Sequence, residues 1–417
     1  MSEFIINGGR KLCGDVMVQG AKNSVLPLLA ATYLSDSQCV LHNCPRLSDV
    51  DASIRILEHL GAFCRFEGNT LTVDSVGCSG DDVPESLMLK MRSSIIFLGA
   101  ILSKCQKASM SLPGGCELGP RPIDIHLSAL KQMGVLVECS AGRLICTAPN
   151  GLKGSEIHLN FPSVGATENI ILAACKARGT TVIHNAAREP EICDLASFLN
   201  ACGARIKGAG TQKVVIEGTE RLHGCEYKVM PDRIVAATYL FTVAMCRGDI
   251  TLNNAVPEQI FPFIDILQKS GCDVKVDSNS VTLRSHHMLN NFDVVSSGPY
   301  PGFPTDAGPS LVSASCLFKG TGVFVENIFD SRFRYIDELK RLGADIKVVG
   351  RAAIVTGVKN LVGAEVSAHD LRGGAALVSA ALAANGTSLV RNLEYIDRGY
   401  ENIENVLCLL GADIKRV

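Results

Sequence analysis

The chain has 417 residues, a formal net charge of -2, 47% hydrophobic residues and 5% aromatics, with no tryptophan. That length exceeds one ordinary core and suits two domains of about 200 residues each. The near-neutral charge and scarce aromatics exclude a polyanion-binding surface or a base-stacking platform as the main business of the molecule, so any anionic ligand must be met by local clusters of cations.

From the N-terminus, Met1-Ser2-Glu3-Phe4-Ile5-Ile6-Asn7 lacks a basic region followed by a long apolar core, so no secretory signal is expected. No apolar run is long enough to span a bilayer. The 17 cysteines contain no C-x-x-C pair, and several, such as Cys105, Cys175, Cys246 and Cys408, fall in apolar runs. They read as reduced, buried thiols of a cytoplasmic protein, with no metal site.

A repeat organises the elements. A glycine that ends an amphipathic helical run recurs at Gly61, Gly134, Gly203, Gly271, Gly343 and Gly411, at separations of 68 to 73 residues. Each is followed by a short alternating strand, and glycine there supplies a left-handed helix stop. Ahead of each amphipathic helix the spacing predicts a second helix, apolar on nearly every face and therefore interior, over residues 24–34, 93–102, 165–174, 235–245, 308–317 and 373–384. Several continue into a β-rich stretch closing on Asn, as at Asn43, Asn185 and Asn392.

The closing strand has its own signature. Ile216-Glu217-Gly218 is followed by Leu222 and Gly224, and Val355-Thr356-Gly357 by Leu361 and Gly363. The sixth unit stops at Val417 without it, and Ile6-Asn7-Gly8 with Leu12 and Gly14 repeats the same offsets at the other end. The N-terminal strand is therefore expected to complete the sixth unit. Three units make a domain over residues 22–229, and three make the other from residues 1–21 and 230–417, with crossings near Gly20 and Pro231 and a hinged cleft between the domains.

Polar residues gather where the buried helices begin: Lys22-Asn23-Ser24, Arg92-Ser93-Ser94, Ser163-Val164-Gly165, Asp232-Arg233, Thr305-Asp306 and Asp370-Leu371-Arg372. Helix N-termini favour anions. Asp, Ser and Thr there are also ordinary N-caps, which accounts for most of them singly. Lys22, Arg92 and Arg372 oppose the helix dipole and read as ligand contacts. Arg398 invites the same reading, and Asp397 beside it could simply pair with an arginine.

One loop stands apart. Glycines and prolines in Pro113-Gly114-Gly115-Cys116-Glu117-Leu118-Gly119-Pro120-Arg121-Pro122 leave no room for a helix or central strand around Cys116. Arg121 and His126 follow closely, and cations favour the thiolate.

Together, Gly20-Ala21-Lys22-Asn23, the Cys116 loop through Ile123-Asp124, Ser163-Val164-Gly165-Ala166-Thr167-Glu168-Asn169, Ala186-Ala187-Arg188-Glu189-Pro190-Glu191, Phe303-Pro304-Thr305-Asp306 and Ile396-Asp397-Arg398-Gly399-Tyr400 are specific motifs. The chain resembles the enolpyruvyl transferase family from end to end, and within it the branch that opens peptidoglycan precursor synthesis. The resemblance implies an α/β fold, the two-domain inside-out α/β barrel. It also implies transfer of the enolpyruvyl group of phosphoenolpyruvate to the 3'-hydroxyl of UDP-N-acetylglucosamine, by addition to a tetrahedral ketal and elimination of phosphate.

Such chemistry needs a proton donor to the methylene carbon, a base near the hydroxyl and cations for phosphate and carboxylate. By the resemblance Cys116 is the acid and adduct-forming thiol, Asp306 the base, and Lys22 a further catalytic residue. Lys22, Asn23, Arg121 and Arg398 correspond to the phosphoenolpyruvate site. Asn23, Arg92, Arg121, Pro122, Ile123, Asp124, Ser163, Val164, Gly165, Asp306 and Ile328 correspond to the nucleotide-sugar site, with Asp370 and Arg372 in support. No metal or organic cofactor, nucleic acid or membrane span is implied. Roles in cell shape and division and sensitivity to fosfomycin are.

Where some relatives have a lysine two residues before the Ser-Val-Gly serine, this chain has Phe161, which flanks the uracil or packs. The related enolpyruvyl transferase of the shikimate pathway lacks the loop cysteine, so Cys116 argues against it. A silent sugar-nucleotide-binding paralogue would not need Lys22, Cys116, Asp306 and Arg398 together.

Overall fold

The computed structural model describes residues 2–111, 123–140 and 142–417; Cys116, Arg121 and Pro122 lie outside the described residues. The chain divides into two compact units, one running from Gly20 to Met230 and the other combining residues 2–19 with Pro231–Val417. Each contains three four-stranded sheets and its own hydrophobic core.

All six sheets share one topology. A short edge strand runs parallel to the strand that follows a buried helix, which pairs antiparallel with a third strand, which pairs antiparallel with a fourth. Glu156–His158, Thr180–His184, Lys213–Glu217 and Arg205–Lys207 are joined in this way. In the sixth sheet the third place is filled by Phe4–Asn7, whose partners are Thr387–Arg391 on one side and Asp413–Arg416 on the other. The N-terminal strand thus completes the last repeat.

Buried helices span Lys22–Thr32, Phe97–Cys105, Val164–Ala174, Arg233–Met245, Gly308–Ser315 and Leu371–Ala383. A one-turn-scale 3₁₀ segment, Arg92–Ile96, precedes the second, so the start expected near residue 93 is tighter than an α-helix. Their Leu, Ala and Val side chains have nearly no exposure, and truncating one such leucine, Leu28 for example, would cost about 2–5 kcal/mol. Backbone approach is close enough that Gly99 cannot be replaced: a Cβ there would lie 2.3 Å from the Asn169 carbonyl oxygen.

The six helix-stop glycines all have φ between 90° and 111°, the left-handed region that glycine enters without steric cost. Asn43, Asn185, Asn254 and Asn392 also have φ between 53° and 63°, and each donates its side-chain amide to the carbonyl one residue past the end of the neighbouring parallel strand. An asparagine tolerates that backbone and finishes the ladder at the same time.

The thiol expectation needs correction. Cys175 and Cys246 are buried, but Cys105 is half-buried and Cys408 is exposed, because the last amphipathic helix, Ile403–Leu409, turns that side away from the core. No helix among the described residues is long and apolar enough to cross a membrane.

Candidate active site

In the unit Gly20–Met230, the helix Lys22–Thr32 begins after Ala21, which offers no capping side chain. Lys22 instead meets Asp49 from the first turn of the helix Ser48–His59, with Nζ 2.7 Å from Oδ2 and both side chains almost wholly buried. The adverse effect of a cation at that helix start is therefore offset by a carboxylate. Asn23 beside it is half-buried. Ser24 donates to Asp194, which also accepts from the Tyr227 hydroxyl at 2.7 Å.

A second cluster surrounds His126. Its Nδ1 lies 2.8 Å from Asn169 Nδ2, so Nδ1 accepts and Nε2 carries the proton. Asn169 also donates to the Ile95 carbonyl and accepts from the Gly99 amide, tying three segments to one side chain. Burial pushes the His126 pKa down to about 4, the Arg92 guanidinium acting in the same direction and Asp124 against it. Gly165 leaves room for the ring, since a Cβ there would stand 3.2 Å from His126 Cε1. Arg92, Asp124 and Gly165 are thus brought around one neutral imidazole, so His126 is not the cation expected after the Cys116 loop: burial keeps its ring uncharged. Asp124 opens the helix Asp124–Gln132 behind Ile123, while Ser163 caps the helix Val164–Ala174 by accepting from the Ala166 amide at 3.3 Å. Phe161 is 45% exposed, so it is not a core packing residue.

One step along that helix, Glu168 is fully buried, and burial together with Glu191 and Glu189 raises its pKa well above the usual carboxylate range.

In the other unit, Thr305-Asp306-Ala307 forms a single 3₁₀ turn ahead of the helix Gly308–Ser315. Asp306 accepts from Arg332 Nη2 at 2.9 Å through Oδ1 and from Arg372 Nε at 3.3 Å through Oδ2. Arg332 also donates to the Thr305 carbonyl and lies 4.0 Å from Asp370. Asp370 is an N-cap, accepting from the Arg372 and Gly373 amides at 3.0 and 2.9 Å. Arg332 Nε is buried and makes no hydrogen bond among the described residues, and Arg372 also meets Tyr400, so two guanidiniums converge behind a half-buried carboxylate.

The turn is held from beneath by Glu326. It accepts from Ser297 Oγ, the Ile328 amide and the Phe329 amide through one oxygen, and from Thr305 Oγ1 through the other. Ile328 is thereby fixed to the Asp306 turn. Arg398 ends the 3₁₀ segment Leu393–Arg398, half-buried. Its neighbour Asp397 is bound by both terminal nitrogens of Arg416, which also reaches Glu404.

Asp49, His126 as a buried neutral group, Glu326 and Arg332 were not singled out as site residues by sequence reasoning. Asp49 and Arg332 belong to amphipathic or 3₁₀ segments rich in charge, where a partner across the fold leaves no local signal. A concavity of about 890 Å³ within the first unit, lined by Lys107, Lys153, Lys176 and Arg178 among others, contains none of the residues expected at the site.

The model of the family described as EPSP synthase (3-phosphoshikimate 1-carboxyvinyltransferase) matches residues 6–407. The chain is 51% identical over 417 residues to UDP-N-acetylglucosamine 1-carboxyvinyltransferase 2 of Caldanaerobacter subterraneus subsp. tengcongensis, with all of both chains covered. It is 44% identical to UDP-N-acetylglucosamine 1-carboxyvinyltransferase 1 of Carboxydothermus hydrogenoformans, covering 100% of this chain and 99% of the other. Among solved structures, the enolpyruvyl transferase NikO from Streptomyces tendae superposes with a TM-score of 0.89 at 24% identity, covering 100% of this chain and 99% of that one. EPSP synthase from Acinetobacter baumannii does so at 0.77 and 19%, with both chains fully covered.

Proposed function

The chain belongs to the EPSP synthase family of enolpyruvyl transferases, and from that membership we infer that it transfers the enolpyruvyl group of phosphoenolpyruvate to the 3'-hydroxyl of UDP-N-acetylglucosamine, releasing phosphate. This is the first step of peptidoglycan precursor synthesis. The observation that carries the reading is the end-to-end identity of 44–51% to relatives named for that reaction.

In this reading Asp306 takes the proton of the attacking hydroxyl, and Arg332 and Arg372 hold its carboxylate at both oxygens so that it cannot rotate away. Cys116 protonates the methylene carbon. Lys22, Asn23, Arg121 and Arg398 hold phosphate and carboxylate. Asn23, Arg92, Arg121, Pro122, Ile123, Asp124, Ser163, Val164, Gly165, Asp306 and Ile328 receive the nucleotide sugar, with Asp370 and Arg372 behind them. Neutral His126 supports that side, since a protonated ring would place a buried cation next to the half-buried Arg92.

The sixteen described cysteines are all free, which suits a reducing cytoplasm. Supply of wall precursor links the reaction to cell shape and division. Fosfomycin, an epoxide phosphonate similar to phosphoenolpyruvate, would alkylate Cys116, and peptide mapping would find the adduct there.

The deciding experiment measures phosphate release from phosphoenolpyruvate with and without UDP-N-acetylglucosamine. Release that depends on the sugar nucleotide is expected; release independent of it overturns the reading.

A further inference from the structure

The edge strand Glu156–His158 runs parallel to Thr180–His184, with His158 paired to His184 and Glu156 to Val182. Ile157 and Ile183 point into the core, which puts Glu156, His158 and His184 on the outer face. The two imidazoles stack with centroids 4.3 Å apart and planes 7° from parallel. Glu156 reaches diagonally to His184, Oε1 lying 2.8 Å from Nε2. One donor atom from each residue falls within 4.8 Å of the other two.

The internal repeat separates what the fold needs from what it does not. A diagonal acid-to-cation pair across these two strands recurs as Glu226 with His42, 2.6 Å, and as Glu365 with Arg391, 2.8 Å. The Glu156–His184 pair therefore belongs to an arrangement shared by three of the six sheets. His158 does not: the corresponding positions, paired with His42 and Arg391, are Lys228 and Ser367. The extra imidazole turns an ion pair into a set of two nitrogens and a carboxylate.

We propose that Glu156, His158 and His184 form a surface site for a divalent transition cation of the zinc, cobalt or nickel class. Two imidazoles and a carboxylate suit these ions rather than magnesium or calcium. Three protein ligands leave a coordination position for water. Stacked rings aim their lone pairs in parallel, so binding turns the imidazoles about their Cβ–Cγ bonds, a motion open to exposed side chains on fast timescales. Lys213, paired to His184 on its other side, is the nearby opposing charge, and its flexible stem is free to swing into solvent. The bound ion staples a three-residue edge strand to its sheet and leaves the transferase chemistry unaltered. C-x-x-C spacing cannot reveal such a site, because its ligands come from two strands 26 residues apart in sequence.

Cobalt(II) titrated into the full-length protein tests it. One ion per chain is expected in the micromolar range, with hyperfine-shifted signals from two histidines, no thiolate-to-cobalt charge-transfer band, and a Tm that rises with cobalt concentration. His158→Lys copies the Lys228 arrangement of the sister sheet and so is compatible with the fold. It should weaken binding by more than about 100-fold, beyond the effect of losing a group that merely orients a ligand, and abolish the Tm rise while phosphate release stays unchanged. Equal binding by wild type and His158→Lys, a spectrum dominated by thiolate ligation, or no binding by wild type at millimolar cobalt would each overturn the proposal.

Discussion

Lys22 with Asp49, and Asp306 with Arg332 and Arg372, both sit where a buried helix begins, in two units built from the same repeat, yet they manage charge differently. In the first, one ammonium meets one carboxylate at 2.7 Å with both side chains buried. In the second, a carboxylate that keeps 28% of its side-chain exposure is shared by two guanidiniums at 2%. Arg332 Nε makes no hydrogen bond among the described residues. A buried donor without an acceptor costs stability. A fold optimised only for stability would hardly place one there, whereas a site that must hold a reactive carboxylate rigid would. The same scaffold thus supplies a paired cation in one unit and a carboxylate clamped by two arginines in the other.

The comparison is tested most strongly at Asp306. Asp306→Ala should lower kcat by about 10²–10⁴-fold, the range of a general base, and change binding of UDP-N-acetylglucosamine little. Steady-state kinetics and calorimetric titration separate the two, and an equal loss in both would recast Asp306 as a binding residue. Asp306→Asn keeps an accepting oxygen for one arginine but turns an NH2 donor toward the other, so it should lose turnover and some stability as well.

Next comes the buried pair. Asp49→Ala leaves the Lys22 ammonium without its carboxylate and should destabilise the protein by about 3–5 kcal/mol in urea unfolding. The double change Lys22→Met with Asp49→Leu removes both charges and should recover most of that loss while remaining inactive. If the double variant regains activity, Lys22 serves the fold alone and the contrast with Asp306 disappears.

A smaller effect is expected from His126, whose pKa lies at about 4 in the fold against an ordinary 6.5. The unfolded chain binds this proton more readily than the native one between those values. Stability conferred by the neutral ring is therefore complete above about pH 6.5 and falls as pH drops toward 4. At about 1.4 kcal/mol per pH unit the loss approaches 3 kcal/mol. His126→Gln should flatten that acid limb in urea unfolding from pH 4 to 7. An unchanged limb would assign the acid sensitivity to other groups, with the buried Glu168 expected to oppose it, since its raised pKa favours the acid side.

Much of this architecture was legible because the repeat writes it six times. The glycine stops, the apolar helices and the transplanted strand Phe4–Asn7 all follow from local spacing that the structure reproduces. What was not legible depends on partners distant in sequence. Nothing near Lys22 announces Asp49, and nothing near Asp306 announces Arg332. Nor did near-uniform hydrophobicity reveal that the helices Arg233–Met245, Gly308–Ser315 and Leu371–Ala383 are joined by hydroxyls, as Thr238 meets Ser310 and Tyr400, and Thr242 meets Ser379. Threonine and serine at those positions look apolar enough to pass in a helix pattern, and only packing shows that each hydroxyl is satisfied. The cap reading holds for Ser163, Asp232 and Asp370 but not for the rest: Ser24, Ser93, Ser94, Thr305 and Asp306 cap no helix.

The smallest effects sharpen the contrast between the units, because Ser163 and Asp370 cap the third buried helix of each. Ser163 accepts one amide at 3.3 Å, so Ser163→Ala should cost about 0.5 kcal/mol, the low end for a cap; Asp370 accepts two at 2.9 and 3.0 Å, so Asp370→Ala should cost about 1–2 kcal/mol. Kinetics should divide them further. If Ser163 faces the nucleotide sugar, its loss removes binding shared by ground and transition states, raising KM for UDP-N-acetylglucosamine at nearly constant kcat. Asp370 lies 4.0 Å from Arg332, which holds Asp306, so its loss should loosen the clamp and lower kcat at nearly constant KM. Asp370→Asn keeps an accepting oxygen for the helix amides but not the charge facing Arg332. It should therefore restore the stability of the cap more fully than turnover. Were Asp370→Asn to restore both together, Asp370 would be a cap and nothing more, and the clamp on Asp306 would rest on the two arginines alone.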